Sequence, residues 1–298
     1  ELQEFDIMAA IDVVMVTPPS KLVVYQGLSE NLTAIEPPVW SGLIASYLEL
    51  KGLSVCMIDA EAQNLSHIET AIAIADIEPS LAVFCIYGQQ PSASTQCMPG
   101  GSKTCKHLNS LANIPSLVLG THPSALPQRT LEEEPFTYIC QGEGPYTVEA
   151  LIKVIRDGGQ ISSVPGLWYR DSDGIIVNNK VAENIGDLNA ELPRQAWHLL
   201  DMTKYRAHNW HCFDHISERS PYASVHTSLG CPYKCSFCCI NAPFGKSSYR
   251  TWSPDCVIRE IDYLVNNYGI KNINFVDEMF VLNKSHVLSL CDLLKNRD

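Results

Sequence analysis

Over its first 155 residues the chain alternates short runs of β-branched and other apolar residues with longer amphipathic stretches, and this alternation leaves few folds open. Strand, helix, strand repeats need crossovers that return the chain to the same end of a sheet, which means parallel strands with helices on the faces. Ile11 to Val16 is an unbroken apolar run, as expected of a strand buried on both sides. Ser54 to Ile58, Leu81 to Tyr87, Pro115 to Leu119 and Tyr138 to Cys140 predict four more, so residues 1–156 read as an α/β domain on a parallel five-stranded sheet. Helices are expected at Pro38 to Lys51, at Ser66 to Asp76 and at Tyr146 to Arg156; Ser66 and Glu69 have the spacing of a capping box.

Each strand gives way to a turn-forming segment: Thr17-Pro18-Pro19, Asp59-Ala60, Gly88-Gln89-Gln90, Gly120-Thr121-His122-Pro123 and Gln141-Gly142-Glu143-Gly144. All fall at the carboxyl ends of strands, the edge where open parallel sheets hold ligands. No G-x-G-x-x-G follows a strand, which speaks against a dinucleotide. Residues 157–220 read as a connector, with a hairpin of Gly166 to Tyr169 and Ile175 to Asn178 around Asp171-Ser172-Asp173-Gly174. His208, His211, Cys212 and His215 lie near its end, at a spacing that matches neither one helix face nor a zinc motif.

A second unit is expected from residue 221. Ser224 to Ser228 reads as a strand, and the loop after it carries Cys231, Cys235 and Cys238 at C-x3-C-x2-C spacing. Three thiols so placed can hold three irons of a four-iron cluster and leave the fourth iron open, whereas electron-transfer clusters use four cysteines. The alternative is structural zinc with His226 or Cys239 as the fourth ligand; no second C-x2-C or H-x3-H pair follows to support it. Ser253-Pro254 caps a helix from Asp255 to Asn267 that Gly269 ends, and Asn272 to Val276 makes the next strand. Asp277 and Glu278 come directly after it, at the carboxyl end of that strand, the edge where parallel α/β enzymes place their sites. A last helix is expected over Ser285 to Asn296.

The cysteine spacing, with Phe237 before the third thiol, resembles the radical S-adenosylmethionine (SAM) family. The stretches Glu36-Pro37-Pro38, Asp59-Ala60-Glu61, Gly120-Thr121-His122-Pro123 and Gly142-Glu143-Gly144 resemble the cobalamin-binding domain that precedes the radical SAM domain in one large group of these enzymes, the class B methyltransferase-like group. The resemblance implies a Rossmann-like cobalamin domain followed by the start of a partial (βα)6 TIM-like barrel, of which residues 221–298 supply the first two units. It also implies three cofactors: a 4Fe-4S cluster on Cys231, Cys235 and Cys238, SAM against Phe237, Asp277 and Glu278, and cobalamin. The corrin would lie on Thr17, Pro18, Gly88, Gln89, Gln90, Ser92, Ser94, Gly120, Thr121, His122, Gly142, Glu143 and Gly144. The D-x-H-x-x-G sequence that gives cobalt a histidine is absent, so Gln89, Gln90, Ser92 and Ser94 are expected under the corrin and His122 as a polar lining residue. Arg250 is a further candidate for contact with SAM or substrate.

The activity implied is methyl transfer from SAM through cobalamin to an unactivated carbon or phosphorus centre. The alternatives are a radical cyclisation or rearrangement with the same cofactors, and a cobalamin-binding sensor with structural zinc. A small-molecule substrate and an external donor of flavodoxin or ferredoxin type are the expected partners. The net charge of −12 is uneven: residues 1–220 carry 13 Lys and Arg against 26 Asp and Glu, residues 221–298 carry 8 against 7, and no basic stripe suits nucleic acid. Twelve cysteines scattered through apolar segments suit a reducing compartment. With no apolar run near the ~20 residues of a membrane span, a cytoplasmic protein is expected.

Overall fold

The structure is a computed structural model. It describes residues 10–21, 24, 33–87, 93–208, 219–295 and 297. Its first unit is built on β1 (Val13–Thr17), β2 (Val55–Asp59), β3 (Leu81–Ile86), β4 (Ser116–Gly120) and β5 (Tyr138–Cys140), all parallel and ordered β2-β1-β3-β4-β5. In this order the chain reverses direction across the sheet between β1 and β3, which opens a crevice at their carboxyl ends. The sheet does not stop at five strands. The expected hairpin forms as β6 (Leu167–Arg170) and β7 (Ile176–Asn178), and β6 pairs antiparallel with β5, extending the sheet to seven strands. The hairpin thereby covers the hydrogen-bonding edge that β5 would otherwise expose.

Alternate residues of each central strand feed the two faces. Val13, Met15, Leu81, Val83, Leu117 and Leu119 pack beneath α1 (Val39–Leu50) and α7 (Pro145–Asp157). Val14, Val16, Ala82, Phe84 and Val118 pack beneath α3 (His67–Ile77) and α4 (Ala93–Leu111). Burial on both faces is the reason these strands read as continuous apolar runs. Ser66 and Glu69 form the capping box expected at the start of α3.

Two expected loops are instead helical. Asp59 caps α2 (Ala60–Gln63), its carboxylate accepting from the backbone N–H of Glu61 at 3.2 Å and of Ala62 at 3.3 Å. Gly120 is the last residue of β4, and the chain turns at once into α5 (Thr121–Ala125) and then α6 (Pro127–Glu133). Gly120 has φ 144°, and a side chain there would collide with the Ile86 carbonyl at the end of β3. Only glycine lets the two strand ends lie this close.

Beyond the hairpin come α8 (Leu188–Glu191) and the 3₁₀ turns Trp197–Leu199 and Met202–Lys204. The second unit pairs β8 (Tyr222–Val225) in parallel with β11 (Asn272–Phe275) through the crossover helix α9 (Pro254–Tyr268). A short antiparallel pair, β9 (Ser228–Leu229) and β10 (Arg250–Thr251), forms the base of the cysteine loop, and α10 (Lys284–Leu294) closes the described chain. Leu229, Phe244, Trp252, Val257, Ile258 and Leu290 join the same apolar cluster as α1 and β1, so the two units share one core. Among the described residues, no helix is long and apolar enough to cross a membrane.

Candidate functional site

The cysteine loop leaves β9 at Gly230. Gly230 has φ 84°, and an added Cβ would lie 2.7 Å from the Ser248 carbonyl of the returning strand. The loop is tied internally by Asn241, whose Oδ1 accepts from the Cys231 backbone N–H at 3.4 Å and whose Nδ2 donates to the Tyr233 carbonyl at 3.0 Å. Ser247 Oγ donates to the same carbonyl at 3.2 Å. Asn241 and Ser247 were invisible to motif reading, because side chains that tie a loop follow no fixed spacing.

Cys231, Cys235 and Cys238 line one cavity of about 590 Å3, which Ser124 and Ala125 of the first unit also line. Ser124 sits four residues beyond the end of β4, and its Oγ accepts from the Gly142 backbone N–H at 3.3 Å. The cavity thus joins the three thiols to the carboxyl edge of the parallel sheet. All three cysteines are free, and among the described residues none of their sulfurs makes a hydrogen bond, unlike the buried thiols of Cys105 and Cys256. Among the described residues, no three His, Cys, Asp or Glu side chains converge on a point where a single ion would sit. A four-iron cluster asks for something else: each thiolate takes its own iron, so the sulfurs must surround a volume rather than a point. The shared cavity and uncommitted thiols fit that group. Zinc, which draws four ligands to about 2.3 Å of one centre, fits less well; Cys239 does not line the cavity, and His226 lies instead beside Trp40, with ring centroids 6.3 Å apart.

The two carboxylates after β11 have different duties. Asp277 accepts from the Thr227 backbone N–H, from Thr227 Oγ1 at 3.0 Å and from Ser228 Oγ, which fixes the turn between β8 and β9. His286, buried on α10, contacts Thr227 Oγ1 through Nε2 at 3.1 Å. The Thr227 hydroxyl gives its one hydrogen to Asp277, so His286 is the donor and carries its proton on Nε2. Burial lowers the His286 pKa, consistent with a neutral ring. Glu278 has a lighter load: its Oε2 accepts from the Gly230 N–H at 3.3 Å. Phe237 is 90% exposed, a large apolar face left open beside the cysteines.

At the sheet edge, Thr17 ends β1 and Pro18 begins a loop that Glu61 grips by accepting from the Ser20 and Lys21 backbone N–H groups. Ser94 Oγ donates to the Ile86 carbonyl and accepts from the His122 N–H at 3.0 Å, bridging the ends of β3 and β4. His122 Nδ1 meets Thr95 Oγ1 at 2.9 Å. Thr121, Gly142 and Gly144 are buried at the same edge. Gly88, Gln89, Gln90 and Ser92 lie outside the described residues, as do His211, Cys212 and His215. Glu143 turns inward and is bound by Arg250 and by the Ile185 N–H, so Arg250, a candidate for SAM contact, is engaged with the first unit.

Structural comparison gives the architecture its name. The described fold superposes on the cobalamin-dependent S-adenosylmethionine radical enzyme OxsB, a structure with aqua-cobalamin and S-adenosylmethionine bound, with a TM-score of 0.70 at 21% identity, covering 97% of this chain and 37% of that one. This chain has the cobalamin-dependent radical SAM fold. Sequence comparison agrees with that fold: the chain is 28% identical over 287 residues to an uncharacterized methyltransferase of Pyrococcus horikoshii, covering 95% of this chain and 57% of the relative. It is 26% identical to an anaerobic magnesium-protoporphyrin IX monomethyl ester cyclase of Rubrivivax gelatinosus, covering 88% of this chain and 45% of the relative. The chain therefore spans about half the length of these relatives. No family model matches it. The cavity described above lies between the parallel sheet and the unit that carries β8 to β11.

Proposed function

We propose that the protein is a cobalamin-dependent radical SAM enzyme that transfers a methyl group from SAM to an unactivated carbon or phosphorus centre. The observation that carries this reading is the single cavity shared by Cys231, Cys235, Cys238 and the sheet-edge residues Ser124 and Ala125. When bound, a 4Fe-4S cluster would supply the electron that breaks the sulfonium of SAM, and a corrin would carry the methyl group; such groups do the hard chemistry and the protein orients them. Cys231, Cys235 and Cys238 would hold the irons. Glu278 would receive the ammonium of SAM through a charge-assisted hydrogen bond, and the open face of Phe237 would pack on its adenine. Asp277 would act one step back by holding the Thr227-Ser228 turn. The corrin would rest on the edge formed by Thr17, Pro18, Ser94, Gly120, Thr121, His122, Gly142 and Gly144. A one-electron donor protein and a small-molecule substrate complete the system.

Anaerobic loading with iron, sulfide and hydroxocobalamin tests the cofactor set. About four irons per chain, a retained corrin spectrum and an EPR signal that shifts on adding SAM are expected; stoichiometric zinc without iron would instead favour a structural site. The cyclase relatives support a second reading, radical cyclisation with the same cofactors. Methyl-labelled SAM separates the two, because only methyl transfer places the label in the product.

A further inference from the structure

Glu143 sits between β5 and α7 and Arg250 on β10, 107 residues apart in the sequence, and they form an ion pair whose side chains are 3% and 18% exposed. Both carboxylate oxygens are engaged. Oε1 accepts from Arg250 Nη2, while Oε2 accepts from Nη1 at 3.3 Å and from the Ile185 N–H at 2.6 Å. Nη1 also donates to the Ile185 carbonyl at 2.7 Å, so the connector is clamped in the same joint. Arg250 stands opposite Leu229 in the β9–β10 pair, and Leu229 comes one residue before Gly230 and two before Cys231. A second path runs beside the first: the guanidinium lies 5.5 Å from the Phe244 ring, Phe244 is 6.1 Å from Trp40, and Trp40 stacks on Tyr87 at 4.9 Å, just past the end of β3.

We propose that the Glu143–Arg250 pair is a positioning device that couples the corrin edge to the cysteine loop, so that a ligand on one side changes affinity on the other. The inference rests on the proposed function for the identity of the two ligands. A displacement of the Gly142–Gly144 loop moves Glu143, and the two-pronged contact transmits it to Arg250 and the base of the cysteine loop. Arginine suits this task because its planar fork fixes orientation as well as charge.

Binding linkage makes the coupling measurable from either side, by the same factor. The intact, cluster-loaded protein is titrated with SAM, followed by EPR, with and without hydroxocobalamin; hydroxocobalamin binding is then measured with and without SAM. The expected wild-type coupling is about fivefold or more. In E143Q/R250M, which removes both buried charges together and so spares the fold the cost of leaving one unpaired, the coupling should fall to about unity while iron content persists. R250K, which keeps the charge and loses the fork, reads the same loss should the double variant not fold. Undiminished coupling in the variants, or none in the wild type, would overturn the proposal. A wild-type protein that takes zinc for iron, or binds no corrin, overturns the functional reading itself and shows this before any coupling is measured.

Discussion

Tyr205 donates its hydroxyl hydrogen to Asp59 at 2.9 Å, joining the turn that leads into the second unit to the carboxyl end of β2. It is one of three such joints. Tyr222 donates to Glu36 at 2.6 Å and Arg250 pairs with Glu143, so three acidic residues of the first unit are each held by a partner far along the chain. The stretches Glu36-Pro37-Pro38, Asp59-Ala60-Glu61 and Gly142-Glu143-Gly144, which resemble a cobalamin domain, therefore also anchor the connector and the second unit. A seam built this way fixes the angle between the sheet edge and the cysteine loop.

Asp59 is fully buried, and burial pushes its pKa up from 3.8 to about 6 despite the hydrogen bonds that favour the charge. A carboxyl whose folded-state pKa lies above its unfolded value binds its proton more tightly in the native state, so its contribution to stability falls as pH rises from about 4 to about 6. The difference amounts to about 3 kcal/mol across that window. Asn at this position keeps an oxygen for the Glu61 and Ala62 N–H groups and cannot ionise. In urea unfolding followed against pH, D59N should gain on the wild type by up to that amount between pH 4 and 6, and a constant difference across the range would contradict the shift.

Glu260 presents a sharper contrast. It is buried on α9, its pKa is pushed up to about 7 by desolvation, and Oε1 alone accepts from both the Gln195 N–H and Trp197 Nε1, each at 3.0 Å. Gln can offer the same single oxygen to both donors without a charge. E260Q should therefore be as stable as the wild type near pH 5 and more stable at pH 8, since the wild-type contribution falls as pH rises from about 4.5 to about 7. E260A leaves two buried donors unpaired and should lose about 2–5 kcal/mol near pH 5, and less at pH 8, where the wild type carries the buried charge. Parallel denaturation series at the two pH values distinguish the variants.

The strands were legible in the sequence because burial on both faces writes itself as an uninterrupted apolar run, and the cysteine loop because its three thiols lie within eight residues of one another. Helix α4 was not, although it is 19 residues long. Pro99, Gly100 and Gly101 interrupt its middle, and Ser94, Ser102 and Thr104 occupy buried positions where an amphipathic pattern calls for apolar residues. Helix α5 was hidden by the glycine that precedes it. The joints at Glu36, Asp59 and Glu143 span 186, 146 and 107 residues, and nothing local to either partner marks them as a pair.

The glycines of α4 are there for space. A Cβ on Gly100 would lie 2.5 Å from the Pro19 carbonyl and 2.6 Å from Ser20 Oγ, in the loop that follows β1. Backbone cannot yield there as a side chain would, so G100A should cost about 1–3 kcal/mol and loosen the Thr17-to-Ser20 loop. On Gly101 the added atom meets the end of the Ile86 side chain, which can turn away. G101A should therefore cost less than G100A, a ranking that chemical denaturation of the two variants reads directly.

Asp277 and Glu278 are adjacent, yet the structure gives them opposite mutational signatures. Asp277 accepts through Oδ1 from the Thr227 N–H, from Thr227 Oγ1 and from Ser228 Oγ, and Ala can accept none of these. D277A should lose stability by about 2 kcal/mol or more, release the turn that leads to Gly230, and lower iron incorporation along with every activity that depends on it. Glu278 makes one long contact with the Gly230 N–H, a bond that Gln can still accept. E278Q should keep the wild-type unfolding midpoint and iron content while weakening SAM binding roughly tenfold, the order of one lost charge-assisted bond. Iron analysis, thermal unfolding and an EPR titration with SAM on both variants separate the roles. Equal loss of iron in the two would place Glu278 in the scaffold with Asp277, and unchanged SAM affinity in E278Q would move the ammonium site elsewhere.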